Sequence, residues 1–298
     1  MKAKSRIFLI ALKNACTGLN SFFFLNGFLL CLILYSSLED QYEKETFDSL
    51  NAYILKSFNG APVNEDSVVI KSLHLTSSLE AAHRKAFSAA EVGGFIAKDL
   101  HPISFDFTTG QGACGSSALV LGRLMLTMNY EMRFAHMEAG GVYGAHNVLE
   151  VKANNRWVVL DPLYDLYFVR PDGRLAGFED VRSNWAYYKL QTPPGYNMGY
   201  RYASVTYTNW SKIPVIMPAV KSGLNLMMGR ERADAISLRP WFLRKFHCLM
   251  IVFLLLEVAV AAYTVILFFR QRKASVHLKT SYRGLESVVQ PGKQLLVS

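Results

Sequence analysis

Three residues in the middle of the chain have the types and the order of a thiol-based catalytic triad. Cys114 lies in the glycine-rich stretch 110–115, His146 follows thirty-two residues later, and Asp161 precedes Pro162. In such a triad the imidazole takes the thiol proton, while the carboxylate orients the imidazole and stabilises its charged form. We therefore expect Cys114 to be a nucleophile, His146 its base and Asp161 the orienting group.

The residues after Cys114 predict the element that presents the thiol. Apolar residues recur there at spacings of three and four, which predicts a helix that begins at Cys114. Unpaired N–H groups and the positive end of the helix dipole stabilise a thiolate at that position. The backbone N–H of Cys114 would meet the oxyanion of a tetrahedral intermediate, and Gln111 is the side-chain candidate for a second donor.

A predicted β-hairpin brings the other two residues together. The strands are residues 146–151 and 156–160, joined by an asparagine-containing loop. A four-residue loop places His146 directly opposite Asp161. A two-residue loop at Asn154 and Asn155 shifts the pairing by two and keeps both side chains on one face, whereas a three-residue loop separates them.

Other residues compete for these roles. His136 is an alternative base, but His146 is favoured because it pairs with the Trp157…Asp161-Pro162 stretch. Glu150 shares a predicted strand face with His146, where it either tunes the site or forms an ion pair with Arg133. Cys114 is the only cysteine in the polar middle of the chain, and a buried structural thiol is the alternative to a reactive one.

The positive charge of the chain is confined to its two ends. The net charge is +9; residues 1–13 hold four basic residues, and residues 270–298 hold six basic residues and one acidic residue. The residues between these tails are therefore neutral overall. Basic tails beside apolar runs indicate membrane topology and contact with anionic lipid, and they argue against nucleic-acid binding.

Two apolar runs, residues 14–38 and 246–269, are each long enough to span a bilayer. The first has basic residues before it and acidic residues after it, which predicts a cytoplasmic N-terminus. A cleaved signal peptide is the alternative for this run. Glu257 lies within the second run, where it would either bind a membrane-protein partner or face a polar group such as Asn26.

Residues 110–167 resemble the bacterial transglutaminase-like superfamily, a branch of the papain-like cysteine hydrolases. The resemblance is carried by Gly-x-Cys-Gly around Cys114, by Arg133 in a strand after the helix, by His146 followed by Glu150, and by Trp157 preceding Asp161-Pro162. One position departs from the family pattern, since Asn147 stands where a bulky residue often follows the histidine. The resemblance implies an α+β fold in which the cysteine helix packs on an antiparallel sheet that carries the histidine and the aspartate.

The resemblance also implies acyl transfer or amide hydrolysis by Cys114, His146 and Asp161, with a protein or peptide as amide donor. The same superfamily contains members that bind without reacting. The alternative is therefore a catalytically silent binding or assembly module of a membrane complex, for example one that handles envelope polysaccharide or peptide. Neither reading calls for a metal ion, a cofactor or a nucleic acid.

The sequence thus predicts a papain-like core between two transmembrane helices, in the inner membrane of a cell. Both termini are expected in the cytoplasm and the catalytic domain in the periplasm. The expected segments are a cytoplasmic tail (1–13), a first transmembrane helix (14–38), a helical stem with the first part of the domain (39–100), the transglutaminase-like core (101–220), a juxtamembrane linker (221–245), a second transmembrane helix (246–269) and a cytoplasmic tail (270–298).

Overall fold

The computed structural model describes residues 18–86, 102–109, 113–210 and 215–289. The chain divides into two compact units. One contains residues 39–246, and the other contains residues 1–38 and 247–298. Gln111 and the tail 1–13 lie outside the described residues.

The unit of residues 39–246 is an α+β domain built on one antiparallel sheet, in agreement with the α+β fold class predicted from the sequence. The strands are β1 (Met132–Ala139), β2 (Val142–Ala153), β3 (Arg156–Asp161), β4 (Leu166–Tyr167) and β5 (Tyr200–Thr206). Their order across the sheet is β4-β3-β2-β1-β5. The strands that were predicted to carry His146 and Asp161 are therefore neighbours.

Nine α-helices lie among the described residues. They are α1 (Leu19–Lys56), α2 (Glu65–Ala86), α3 (Ile103–Thr109), α4 (Cys114–Thr127), α5 (Phe178–Ser183), α6 (Trp185–Tyr188), α7 (Ile216–Met228), α8 (Arg230–Asp234) and α9 (Lys245–Val289). Single 3-10 turns occupy Lys189–Gln191 and Arg239–Phe242. Helix α4 begins at Cys114, as the apolar periodicity predicts.

The β2–β3 hairpin has the two-residue loop that keeps His146 and Asp161 on one face. Ala153 pairs with Arg156, and both loop residues, Asn154 and Asn155, have positive φ values of 49° and 59°. Asparagine tolerates this left-handed conformation, which matches the twist of the strands. The four-residue alternative is wrong, and the aspartate lies diagonally across from the histidine rather than directly opposite it.

The sheet is covered on both faces by apolar side chains. On one face α2 and α4 pack over Phe134, Leu149 and Leu160. On the other face the aromatic residues of the C-terminal half pack over Val148 and Val159. Because side chains alternate along a strand, the residue type at each position follows its face.

A glycine in α4 allows the cysteine helix to lie close to the sheet. A Cβ atom at Gly122 would come within 2.6 Å of the ring of Phe134, which is fully buried in β1. This approach fixes the distance between α4 and the strands that carry the rest of the candidate site.

Two regions differ from the sequence-based prediction. Residues 67–70, whose short apolar run taken alone predicts a strand, lie within α2, because the flanking residues continue the helical periodicity of that segment. Residues 221–245, predicted as a linker, fold as the end of α7, the helix α8 and a 3-10 turn. Leu243 is fully buried there, and the Ser237 hydroxyl accepts a hydrogen bond from the Phe134 N–H at 3.0 Å.

Two helices, α1 and the part of α9 from Lys245 to Lys273, are long and apolar enough to cross a membrane. Most residues in their apolar windows are exposed. The core helix of a soluble domain would instead bury its apolar side chains, so this exposure favours contact with lipid.

A polar contact joins the two apolar helices within the unit that contains them. The Asn26 amide donates to Thr264 Oγ1 at 3.0 Å and to the Phe22 carbonyl at 2.5 Å. Both amide hydrogens are therefore used. Among the hydrogen bonds of the described residues, none joins Asn26 to Glu257, although the sequence suggested such a contact. Oε2 of Glu257 is buried and has no hydrogen-bond partner among the described residues.

A buried ion pair holds the cysteine helix to α1. Arg123 in α4 donates through Nε to Glu43 Oε1 at 2.8 Å, and both side chains are at most 4% exposed. The second oxygen of Glu43 accepts the backbone N–H of Ile103 at 3.1 Å. One carboxylate therefore joins α1, α3 and α4.

We expect Glu43→Ala to destabilise the domain by about 3–5 kcal/mol, because it leaves the Arg123 charge buried and unpaired. For a unit of this size the loss corresponds to a fall in Tm of roughly 6–20 °C. Circular dichroism of the detergent-solubilised chain during heating measures it. The control is Asp48→Ala, which breaks the exposed Lys44–Asp48 pair of the same helix and should cost at most about 0.5 kcal/mol. Equal shifts for the two variants would contradict this account of Glu43.

Candidate active site

The structure brings His146 and Asp161 into direct contact. Nε2 of His146 lies 2.6 Å from Oδ2 of Asp161, and both residues are almost completely buried. The other carboxylate oxygen of Asp161 accepts the backbone N–H of Leu163 at 3.2 Å. The contact predicted from the strand register is confirmed, and it leaves Nδ1 as the ring nitrogen available to a thiol.

A β-bulge precedes His146 and gives the strand its local direction. Met137 of β1 pairs with His146, whereas the next residue, Glu138, pairs with Tyr143. Gly144 and Ala145 are thus unpaired with β1, and Gly144 adopts a φ of 76° that favours glycine. Such bulges bend a strand and redirect the side chains beside them.

Two tyrosine rings hold the imidazole in place. Tyr200 of β5 stacks on His146 with ring centroids 4.2 Å apart and an interplanar angle of 9°. Tyr164 meets the same imidazole edge to face at 5.8 Å. The ring is therefore restrained on its face by Tyr200, on its edge by Tyr164 and at Nε2 by Asp161, and few orientations remain open to it.

Cys114 is the first residue of α4 and is half-buried. Among the described residues, no side chain caps this helix terminus, and the positive end of the helix lies at the thiol. The residue before the cysteine, Ala113, has a φ of 44° and a ψ of −125°. This conformation is strained for a residue with a Cβ atom, and such strain is often found at functional sites.

Buried carboxylates fix the start of α4. The Ser116 hydroxyl donates to Asp106 Oδ1 at 2.5 Å, and the Ser117 hydroxyl donates to Glu80. All four side chains are buried. These contacts anchor the first turn of α4 to α2 and α3, and so they set the position of the thiol.

Asn147, the residue after His146, contacts the thiol directly. Its Nδ2 donates to Cys114 Sγ at 3.6 Å, and its Oδ1 lies 2.5 Å from Nδ1 of His136. A hydrogen bond from His136 to Oδ1 turns the amide so that its N–H groups face the sulfur. His136, which the sequence offers as an alternative base, is thereby placed against Asn147.

These contacts stabilise a charged thiolate–imidazolium pair. Burial acts to raise the pKa of the Cys114 thiol, but polar contacts with His146 and Asn147 outweigh burial, and the pKa is lowered. Burial likewise acts to lower the pKa of His146, but contacts with Asp161 and Cys114 raise it to about 9. Nδ1 of His146 has no hydrogen bond of normal geometry to any described residue. The thiol acts on the ring electrostatically, and such contacts commonly tighten when substrate binds.

A further positive charge, Arg239, acts on the same thiol. It belongs to the 3-10 turn in the segment that the sequence assigned to a linker, and its guanidinium lies 5.1 Å from the centre of the Phe134 ring. Burial lowers the pKa of Arg239, and the opposite charges of Asp106 and Cys114 offset this only in part. Arg239 therefore favours the thiolate form of Cys114.

Glu150 and Arg133, the other residues considered from the sequence, form an ion pair that has a structural role. Arg133 Nε donates to Glu150 Oε2 at 2.6 Å, which confirms the ion-pair alternative. The guanidinium of Arg133 also stacks between Trp157 and Tyr207, with its central carbon 4.3 Å and 4.1 Å from their ring centres. This cluster braces the sheet.

Sequence reasoning missed the contacts made by Asn147, Tyr200 and Arg239. The sequence did contain a signal for Asn147, because this residue departs from the family pattern at the position directly after the base, His146. Tyr200 lies in an aromatic-rich strand, where nothing in the spacing distinguishes a ring that packs on His146 from one in the core. Among the described residues, no group of three His, Cys, Asp or Glu side chains is arranged to hold a metal ion.

Comparison of the chain with protein-family models, with curated proteins and with solved structures finds no match in any of the three. The proposed function therefore depends on the geometry of the site and on the resemblance carried by its residues.

We expect Cys114 to react with iodoacetamide at pH 7 faster than an ordinary thiol, because its pKa is lowered. The rate should fall as the pH falls through that lowered pKa and the thiolate is protonated. Asp161→Asn removes the carboxylate that keeps His146 charged, so it should slow alkylation at pH 7 by about tenfold for each unit that the pKa of Cys114 rises. Peptide mass spectrometry of Cys114 measures the rate separately from the other cysteines.

The matched control is Asp165→Asn. Asp165 forms the same kind of pair with His74 at 2.7 Å, but that pair is exposed on the surface. The control should leave the alkylation rate of Cys114 unchanged. If both variants react like the unchanged chain, the carboxylate of Asp161 does not act on the thiol.

Proposed function

We propose that this chain is a membrane-anchored thiol enzyme of the transglutaminase-like type, which performs acyl transfer or amide hydrolysis through Cys114, His146 and Asp161. The observation that carries the proposal is the buried 2.6 Å contact between His146 and Asp161, formed beside a thiol whose pKa is lowered. The packing of the cysteine helix on an antiparallel sheet supports a papain-like core.

In the proposed reaction the Cys114 thiolate attacks the carbonyl carbon of an amide. The carbonyl π electrons move to oxygen, and the resulting oxyanion is stabilised by backbone N–H groups at the N-terminus of α4. The oxyanion then collapses, the C–N bond breaks, and the imidazolium of His146 gives its proton to the leaving amine. A thioester on Cys114 remains.

Water or an amine completes the cycle. Neutral His146 takes a proton from the incoming nucleophile, which attacks the thioester carbonyl, and the Cys114 thiolate leaves. Asp161 stabilises the imidazolium in both halves and does not itself take up the proton. Because His146 must be charged to protonate the leaving amine, activity should decline as the pH rises past the histidine pKa of about 9.

Asn147 supplies the side-chain donor of the proposed oxyanion site. Its Nδ2 lies 3.6 Å from the sulfur, and in the tetrahedral intermediate the oxyanion is two bonds from that sulfur. The same amide stabilises the thiolate before the attack. It is a donor beside Gln111, the candidate from the sequence, which lies outside the described residues.

The proposed compartment follows from the apolar helices and the charges beside them. If α1 and α9 both cross the membrane, the basic residues before α1 place the N-terminus in the cytoplasm, and the domain between the helices lies on the opposite side. The site would then act on protein or peptide amides of the cell envelope.

A second candidate function is that of a catalytically silent module that helps to assemble a membrane complex. One oxygen of Glu257 in α9 is buried and has no hydrogen-bond partner in the part of the chain that the structure describes. This favours the assembly module, because a carboxyl group within a membrane-spanning helix is costly unless a partner binds it. Full function of a Cys114→Ala chain, together with loss of function in Glu257→Leu, would favour this alternative.

An activated ester can test whether Cys114 is the nucleophile, even though the natural acyl donor is not identified. We expect p-nitrophenyl acetate to give a burst of p-nitrophenolate equal to one per chain, followed by a slower steady rate, because acylation of Cys114 precedes its hydrolysis. Cys114→Ala should abolish the burst, and His146→Gln should slow it by about 100-fold or more. His74→Gln, at the exposed pair, should leave it unchanged. A burst that survives in Cys114→Ala would overturn the assignment of the nucleophile.

We expect Asn147→Ala to lower kcat for this ester by about 10²–10³, because it removes one donor to the oxyanion. The KM should change little, since the donor acts mainly in the transition state. Asn64→Ala is a control on an exposed asparagine, whose side chain accepts the Asp66 N–H at 3.2 Å. A fall in affinity with unchanged kcat would show that Asn147 binds the substrate rather than the oxyanion.

A further inference from the structure

Helix α7 carries an exposed apolar stripe. Ile216, Val220, Leu226 and Met227 are 58%, 40%, 90% and 82% exposed. They fall at spacings of four, six and one residues, which place them within one side of a helix of 3.6 residues per turn. This stripe (Ile216, Val220, Leu226 and Met227) contains no charged residue.

The opposite side of α7 is attached to the domain. Lys221 Nζ lies 2.8 Å from Asp234 Oδ1 in α8, and it lies 5.7 Å from the centre of the Trp210 ring. Leu224 and Met228 on this side are partly buried. These contacts fix the rotation of α7 about its axis, so that the apolar stripe faces outward.

The stripe lies on a basic segment of chain that runs directly into α9. Residues 215–245 contain six basic and two acidic residues, and Arg230 and Arg232 are exposed. Trp241 and Phe242, just before α9 begins, are 75% and 64% exposed. Basic residues and tryptophan concentrate where protein meets lipid headgroups.

We propose that α7 lies in the plane of the membrane interface, with its apolar stripe inserted among the lipid chains and with Trp241 at the headgroup level. An amphipathic helix near basic residues is the form that such interfacial contacts take. This inference goes beyond the proposed enzyme and rests on the proposed membrane anchoring of α9.

The connection of α7 to α9 and the charge of the segment both favour lipid as the partner of the apolar stripe. Sixteen residues join the end of α7 to the start of α9, so a membrane-spanning α9 holds the stripe permanently within reach of the bilayer. This tether gives the lipid surface a high effective concentration, whereas a second protein has to be recruited. The excess of basic residues complements anionic headgroups.

The test places a nitroxide label at Leu226→Cys in the full chain, with the native cysteines replaced by serine. The protein is placed in nanodiscs of phosphatidylcholine and phosphatidylglycerol, and collisions with oxygen and with a water-soluble nickel complex are compared by electron paramagnetic resonance. We expect the oxygen-to-nickel ratio at Leu226 to be several-fold higher than at Leu190→Cys. Leu190 is a matched control, since it is an equally exposed leucine of the same domain (80%).

A third label at Leu255→Cys in α9 separates the two proposals. Lipid contact at Leu255 with a nickel-accessible Leu226 would overturn the interfacial helix and leave the membrane anchor intact. A nickel-accessible Leu255 would overturn the anchor and the interfacial helix together. A Leu226 label shielded from both reagents would show that a protein covers the stripe, which also overturns lipid as its occupant.

Discussion

The buried hydrogen bond between His146 and Asp161 is the interaction on which the candidate site depends. An imidazole without such a partner, buried to the same extent, would be neutral, because desolvation disfavours its charged form. The carboxylate at 2.6 Å, together with the thiol of Cys114, reverses that preference, and the pKa of His146 is raised to about 9. A charged imidazole in turn favours the thiolate of Cys114. Removal of the carboxylate therefore acts on the sulfur, although the two groups share no described contact.

Several elements meet to place these three groups. The hairpin sets His146 and Asp161 on one face, the bulge before His146 redirects its strand, and Tyr200 of the edge strand restrains the ring. The thiol comes from a different layer, at the start of α4, whose first turn is held by buried carboxylates. The ion pair of Glu43 and Arg123 attaches the same helix to α1. The position of the sulfur thus depends on contacts from parts of the chain far apart in sequence.

Side chains from two successive residues of strand β2 stabilise the sulfur of Cys114. Neighbouring strand residues normally point to opposite sides of a sheet, yet His146 and Asn147 both influence Cys114. His146 supplies the charge that stabilises the thiolate, and Asn147, turned by His136, supplies a hydrogen-bond donor. This arrangement separates proton transfer from anion stabilisation, and it uses side chains whose relative positions the sheet fixes.

The sequence by itself determined the elements that carry the candidate site, and it limited the hairpin to a few loop lengths. The helix at Cys114, the strands around His146 and Asp161, and the two apolar helices follow from periodicity, asparagine in a tight turn and run length, which are local properties. Only the tertiary structure decided the partners of the thiol. Asn147, Arg239 and the carboxylates of Asp106 and Glu80 reach the start of α4 from separate elements, and no local pattern records which distant side chains a packed core brings together. The fold of residues 221–245 could not be predicted for the same reason. Leu243 and Ser237 make their contacts only with residues of the folded domain that are distant in sequence.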